Sequence, residues 1–225
     1  MQRRPILLAI GPVCLGASIA PNVGAAPGDS DAASGIREAL QRGAAAAVSL
    51  LGRTDGFLGN PRVRIELPGF LKDAAKVLRF TGQQQRLDEL VTAMNRAAEQ
   101  AVPAAKELLV AAVTSISLGD AARIVRGGET AVTDFFASKT RSPLSGRFLP
   151  IVKQQTDRVG LAARYNALVG QFSGKGGGDS ERTVESYVTR KALDGLYLVI
   201  GDEEKKIRRD PVGAGSKILE RVFGR

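Results

Sequence analysis

The feature that most constrains the fold of this chain is one long apolar stripe at helical spacing between Gln83 and Ile116. An α-helix has about 3.6 residues per turn, so apolar residues that recur every three or four positions fall on one face. The stripe comprises Leu87, Leu90, Val91, Met94, Ala98, Ala101, Ala105, Leu108, Leu109, Ala112, Val113 and Ile116. Pro103 lies inside it and predicts a kink or a division into two helices, because proline interrupts the hydrogen bonds of a helix interior. Such a face must be buried against other helices, so we expect an all-α fold.

Similar periodicity predicts helices over most of the remaining chain. The predicted segments are 34–52, 68–80, 118–125, 129–140, 142–159, 161–172, 183–209 and 216–223. Glycines separate several of them, at 127–128 and in the glycine-rich stretch 174–178, as is usual where helices end. We therefore expect a single multi-helix bundle of about eight or nine helices.

Residues 53–68 differ in kind from these helical segments. Two turn-forming pairs come first, Asp55-Gly56 and Asn60-Pro61. From 63 to 67 apolar and charged residues then alternate, which is the spacing of an extended segment. No other segment offers a strand partner, so we expect one short extended strap laid over the helices. The residues of this strap that form a candidate interaction surface are Asp55, Phe57, Asn60 and Arg64.

The N-terminus has the three-part layout of a secretory signal peptide. A basic start, Met1 to Arg4, precedes an uncharged apolar stretch, and Val23-Gly24-Ala25 supplies the small residues that a signal peptidase recognises. We expect residues 1–25 to be removed, residues 26–33 to form a flexible leader, and residues 34–225 to form one helical domain. The alternative is an uncleaved N-terminal anchor. No later segment is long and apolar enough to span a membrane, so the expected location is periplasmic or secreted.

Composition excludes several classes of chemistry. The chain has no histidine, and its only cysteine, Cys14, lies in the expected signal peptide. A Ser-His-Asp triad, zinc held by His and Cys, and iron–sulfur clusters are therefore excluded for the mature chain. We expect no metal and no cofactor. Glu203 and Glu204 are neighbours on a helix and point about 100° apart, so they are not a ready acid–base couple.

The charge balance favours anionic partners. The formal net charge is +9, and an excess of cations attracts lipid head groups and acidic polymers. The chain has no Trp and no basic stripe interleaved with aromatic residues, so we expect no binding to nucleic acid. Anionic lipid or another component of the cell envelope is the expected partner, although ordinary surface solvation also accounts for the charge.

Polar residues beside the apolar stripes form the candidate site. They lie on the stripe helix and on the helix predicted at 183–209: Asn95, Arg96, Glu99, Lys191, Asp194, Glu204 and Arg208. A carboxylate in an apolar row needs a partner, and Arg208 lies one turn from Glu204, where it can supply one. Two interpretations stay open. The residues are either ion pairs that fix the register of the helices, or the lining of a polar pocket between these two helices.

Several segments resemble an exported bacterial family, catalogued as domain of unknown function forty-one ninety-seven. The matching segments include 55–58, 60–61, 63–65, 94–99, 101–103, 127–128, 148–153, 159–161, 165–166, 187–189, 191–196, 203–204, 207–208, 211–212 and 222–224. Ala137 is a departure, because the family pattern has an arginine after Phe136. The resemblance covers nearly all of the expected mature chain and implies an exported helical protein. It supplies no activity.

Together these features favour a non-enzymatic binding or interaction protein of the cell envelope, with an amphipathic or anionic ligand. One alternative is a hydrolase-type enzyme that uses carboxylate, lysine or tyrosine chemistry around Glu99, Lys191 and Asp194. Another is a structural partner in an envelope complex that docks through the strap.

Overall fold

The computed structural model describes residues 29–69, 76, 80, 82, 84–160, 162–165, 167 and 183–210. Several predictions lie outside these ranges. They concern the signal peptide at 1–25, most of the helix at 68–80, the end of the helix at 161–172, the glycine-rich stretch 174–178 and the tail helix at 216–223.

The described chain is helical and contains no strand, which confirms the all-α fold class. The helices are α1 (Asp29–Leu51), α2 (Gln84–Ala101), α3 (Ala105–Thr114), α4 (Leu118–Val125), α5 (Ala131–Arg158) and α6 (Val184–Arg209), with a 3-10 turn at Val102–Ala104. The predicted count of eight or nine is not confirmed within the described ranges. None of the helices described there has an apolar stretch long enough to cross a membrane.

The apolar stripe is divided as Pro103 predicted. Pro103 lies within the 3-10 turn that separates α2 from α3. Of the stripe residues, those on α2 are all buried, and Ala105, Leu109 and Val113 continue the buried row on α3. A proline near the start of a helical turn leaves no hydrogen bond unmade, because the first N–H groups have no partner there anyway.

Two helix boundaries differ from the sequence prediction. α1 begins at Asp29, so the leader expected over 26–33 overlaps its first turn. The separate helices expected at 129–140 and 142–159 are one continuous helix, α5, which runs through Pro143 and Pro150.

Packing explains why α5 continues through its prolines. Both prolines are exposed, whereas the inward row at four-residue spacing, Phe136, Thr140, Leu144, Phe148, Val152 and Thr156, is buried. An interior proline costs a helix roughly 3 kcal/mol. Burying three large apolar side chains offsets this, at roughly 1.5–3 kcal/mol each.

α6 is the central helix of the described bundle. It packs against α1, α2 and α5, and apolar residues along most of its length are buried. α3 packs against α1 and α5, and α4 packs against α1.

The strap lies over α2 and α6. Residues 52–63 form successive turns, and 64–68 are extended without pairing into a sheet. Phe57, Val63 and Ile65 point inward and are buried, while Arg62 and Arg64 are exposed. The alternation in the sequence therefore marks an extended segment with one face on the helices.

Candidate functional site

Glu99 on α2 holds the turn at the start of the strap. Its side chain is only 2% exposed. Oε1 accepts the backbone N–H groups of Phe57 at 3.1 Å and Leu58 at 3.2 Å, and Oε2 accepts Arg96 Nη1 at 2.7 Å. Arg96 also donates to Asp55 Oδ1 at 2.8 Å. The hydrogen bond to Glu99 is the main reason that the pKa of Arg96 is raised.

Asn95, one residue from this ion pair, holds the extended part of the strap. Its Oδ1 accepts the N–H of Ile65 at 2.8 Å, and its Nδ2 donates to the carbonyl of Ile65 at 2.9 Å. Nδ2 also donates to the carbonyl of Val91 within α2. The hydroxyl of Tyr187 on α6 donates to the carbonyl of Glu66 at 2.7 Å. The Asn95 amide is fully buried and pairs with both backbone groups of Ile65. It therefore takes the place of a strand partner for the strap.

Gly195 lets the strap approach the backbone of α6. A β-carbon at this position would lie 2.8 Å from Phe57 Cε1 and 3.2 Å from Val63 Cβ. Because Phe57 is fully buried, its ring has little room to move away.

The remaining strap residues that the sequence singled out lie on its outer side. Asn60 accepts the N–H of Arg62 within a turn, at 3.2 Å, and Arg62 pairs with Asp202 on α6. Arg64 is exposed and pairs with Glu66 at 2.8 Å. The ion pairs of Arg62 and Arg64 thus lie at the surface of the strap.

Glu204 and Arg208 on α6 join the ends of two other helices. Glu204 is 3% exposed and accepts the N–H groups of Val132 at 3.1 Å and Thr133 at 2.9 Å, together with the hydroxyl of Thr133. Arg208 Nε donates to Glu204 at 2.9 Å, and its Nη2 lies 3.4 Å from the carbonyl of Ile124 near the end of α4. A carboxylate at the start of α5 and a guanidinium at the end of α4 each match the local helix dipole.

Asp194 on α6 belongs to a third group of contacts, which joins α6 to α5. Arg141 on α5 pairs with it at 2.8 Å, and Arg190 lies 3.7 Å away. Arg141 also lies over the ring of Tyr197, 5.0 Å from its centroid. The hydroxyl of Tyr197 is 2.7 Å from that of Thr140. Burial raises the pKa of Tyr197.

Six of the seven candidate residues occupy three different contacts, and the seven do not line one described cavity. Asn95, Arg96 and Glu99 hold the strap; Glu204 and Arg208 join α4 and α5; Asp194 pairs with α5. Lys191 is half-buried on α6 and makes no ion pair with a residue that the structure describes. The described residues contain no group of three side chains able to hold a metal ion.

An apolar groove lies elsewhere, between α1 and α3. Its volume is about 240 Å³. Apolar residues form most of its surface, and Gln41, Ser49 and Lys106 are its polar members; the apolar set is Ala44, Ala45, Val48, Leu109, Val110 and Val113. Among these residues Lys106 alone is charged, and its ammonium group makes no ion pair within the described parts of the chain.

The two helices that form the groove run in opposite directions. Gly52, just after α1, lies against Pro103, just before α3, and a β-carbon on Gly52 would be 3.2 Å from Pro103 Cγ. At the other end Arg37 donates to the carbonyl of Ile116 at 2.8 Å. These contacts hold the two helices together just beyond each end of the groove.

No sequence pattern marks this groove as a site. Leu109 and Val113 belong to the apolar stripe, and Ala44 and Val48 recur at helical spacing on α1, so the pattern predicts that all four are core residues. The space arises because alanines on α1 face valines on α3, and two small side chains at a helix contact leave part of the interface unfilled. Lys106 is the one signal in the sequence, as a cation close to an apolar row.

A second, more open depression of about 770 Å³ lies between α2 and α5. Its lining includes four charged residues, Asp88, Glu89, Arg96 and Arg164, and each of them already has a polar partner. Arg164 pairs with Glu89 at 3.1 Å, and Gln84 donates to Asp88 at 2.7 Å.

The fold and site define a helical protein with a strap held by buried polar side chains and an apolar surface groove with one cation. The chain belongs to the family described as "Protein of unknown function (DUF4197)", whose family model matches residues 26–224. No curated protein and no solved structure matches the chain. Ala137 is half-buried against the core.

Proposed function

We propose that this protein is a non-enzymatic binding protein of the cell envelope whose ligand is an amphipathic anion. The groove between α1 and α3 carries the proposal. It combines an apolar surface with a single cation, Lys106, and no described carboxylate lines it. That combination suits an aliphatic chain that ends in an anionic group.

The energetics divide between the two parts of such a ligand. Transfer of the chain from water supplies most of the affinity, at about 0.8 kcal/mol for each fully buried methylene. Lys106 is exposed, so its ion pair with the head group contributes at most about 1 kcal/mol. The lysine therefore orients the ligand and selects anions over neutral amphiphiles.

The proposal includes export through the signal peptide at 1–25. Pulse labelling in the cell that makes the protein, followed by N-terminal sequencing, tests this part. We expect a mature chain that begins at Ala26 and fractionates with the periplasm or the medium. A full-length chain retained in the membrane fraction would support the uncleaved anchor instead.

Ligand binding is tested by native mass spectrometry of protein purified from its own periplasm, and by titration with 1-anilinonaphthalene-8-sulfonate, a fluorescent amphipathic anion. We expect a co-purifying anionic amphiphile and saturable binding of the probe. Lys106→Gln should weaken probe binding about two- to fivefold, as expected for an exposed ion pair. Lys139→Gln, which removes an exposed lysine from α5, is the matched control and should bind as the parent does.

A bare chain that neither binds the probe nor associates with anionic vesicles would overturn the proposal. The catalytic alternative has less support, because both carboxylate oxygens of Glu99 already accept hydrogen bonds from the strap and Arg96. Asp194 is paired with Arg141 and lies in a different contact from Glu99. The outer side of the strap, with exposed Arg62 and Arg64, supports docking to an envelope partner as the second alternative.

A further inference from the structure

We infer that the groove takes a free, unbranched aliphatic carboxylate of about eight to ten carbons, lying along α1 and α3, because its length and volume match one such chain. The carboxylate lies at the end formed by Lys106 and Ser49. This inference rests on the proposed function and specifies its ligand.

The length limit comes from the contacts just beyond each end of the groove. The groove residues on α1 run from Gln41 to Ser49, which spans roughly 12 Å at 1.5 Å per residue. Beyond Ser49 the close approach of Gly52 and Pro103 leaves no gap between the helices. At the opposite end the bond from Arg37 to the carbonyl of Ile116 crosses between them.

The volume limits the ligand to one chain. About 240 Å³ corresponds to roughly eight groups of the size of a water molecule, at about 30 Å³ each. A methylene is of similar size, so the volume of the groove is about that of one chain of medium length. A diacyl lipid would leave one of its chains in water.

The orientation follows from the opposite directions of the helices. Lys106 is near the beginning of α3 and Ser49 near the end of α1, so both lie at the end next to Pro103. The opposite end, at Gln41 and Val113, carries no charge. A carboxylate at the Lys106 end can accept from the ammonium group and from the Ser49 hydroxyl, while the methyl end of the chain lies near Val113.

Isothermal titration of the mature protein with straight-chain carboxylates from about four to fourteen carbons tests the length limit. We expect affinity to rise by up to about fourfold for each added methylene, the equivalent of about 0.8 kcal/mol. The rise should stop near ten carbons. Alcohols of equal length should bind about two- to fivefold more weakly than the carboxylates, and Lys106→Gln should abolish that difference.

A filling variant tests the location independently of charge. Ala45 is exposed and lines the groove, so Ala45→Leu should occupy roughly three methylene volumes and shift the preferred length about three carbons shorter. Ala111→Leu is the matched control, since Ala111 is an exposed residue of α3 outside the groove. It should leave the preferred length unchanged, and both variants should retain the parent's helical circular dichroism.

The outcomes separate the two claims. If no carboxylate and no probe binds, the proposed function fails together with the inference. Affinity that keeps rising beyond fourteen carbons, or binding to anionic vesicles without binding to free carboxylates, would overturn the inference and leave amphiphile binding standing. Sedimentation tests whether a second copy of the protein occupies the groove. A dimeric mass that falls to that of one chain in Val110→Asp, but not in Leu198→Asp, would assign the groove to a second copy. That result would also overturn the inference.

Discussion

Replacement of Glu99 by alanine should destabilise the protein by about 2–5 kcal/mol, because two backbone donors and Arg96 lose their buried acceptor. Two backbone N–H groups, of Phe57 and Leu58, lose their acceptor, and an unsatisfied buried donor costs roughly 1–3 kcal/mol. Arg96 loses its shortest hydrogen bond as well. Small proteins are stable by only about 5–15 kcal/mol, so the variant should be close to unfolding.

The same geometry predicts a graded series. Arg96 is 37% exposed, and Glu99 keeps both backbone donors without it, so Arg96→Ala should cost about 1 kcal/mol. Asp55 is more exposed, at 59%, and Asp55→Asn should cost less still. Arg96→Ala combined with Glu99→Ala should cost less than the sum of the two, because residues in one network are coupled.

Urea unfolding followed by circular dichroism at 222 nm measures this series, since the chain is helical and has no Trp to report by fluorescence. Glu107→Ala is a suitable control. Glu107 is 83% exposed and makes a single surface ion pair with Arg147, so its loss should change stability by no more than about 0.5 kcal/mol. A cost below about 1 kcal/mol for Glu99→Ala, with an unchanged slope, would refute the assignment of Glu99 to the strap.

Further predictions follow from contacts along α5 and α6. Gly195→Ala should lower the free energy of unfolding by about 1–3 kcal/mol, because the new methyl group meets the buried strap. In Gly146→Ala the new methyl group meets open space, so this variant should raise the free energy of unfolding by up to about 1 kcal/mol. Glu204→Gln should cost about 2–3 kcal/mol through weaker hydrogen bonds to the first turn of α5, and urea unfolding that shows less than about 0.5 kcal/mol would contradict it. Burial raises the pKa of Tyr197, so the stability it contributes is complete below the unfolded pKa of about 10 and is lost as pH rises through the folded value. Between pH ~9 and pH ~11, Tyr197→Phe should therefore lose less unfolding free energy than the parent protein does. An identical loss in the two proteins would exclude a contribution of Tyr197 to the pH dependence.

Most of the helices that the structure describes could be predicted from periodicity because they have a buried row. The stripe from Leu87 to Val113 and the division at Pro103 both appear as the sequence indicates. The continuity of α5 could not be predicted, because proline is a strong local signal and the buried row that outweighs it depends on contacts with distant helices. The strap was recognisable from its alternation, and its partners on α2 were not, since a side chain that satisfies distant backbone groups leaves no periodic pattern.

The contacts of the candidate site could also be predicted only in part from the sequence. The sequence places Glu204 within an apolar row and Glu99 beside one, and both side chains are buried with partners in the structure. It grouped them because both sit beside stripes, whereas the structure places them in separate contacts. The groove between α1 and α3 depends on space left between two helices that are distant in sequence, and side-chain spacing within one helix carries no information about that space.

The most direct test of the account is to locate a bound ligand on the mature protein by intermolecular nuclear Overhauser effects. Decanoate should show contacts from its methyl end to the methyl groups of Val113 and from its first methylenes to the side chain of Lys106. Chemical shifts of Glu99 and its strap partners should stay unchanged. Contacts to the strap or to the depression between α2 and α5, with no effect at Val113, would contradict the assignment of the groove as the binding site.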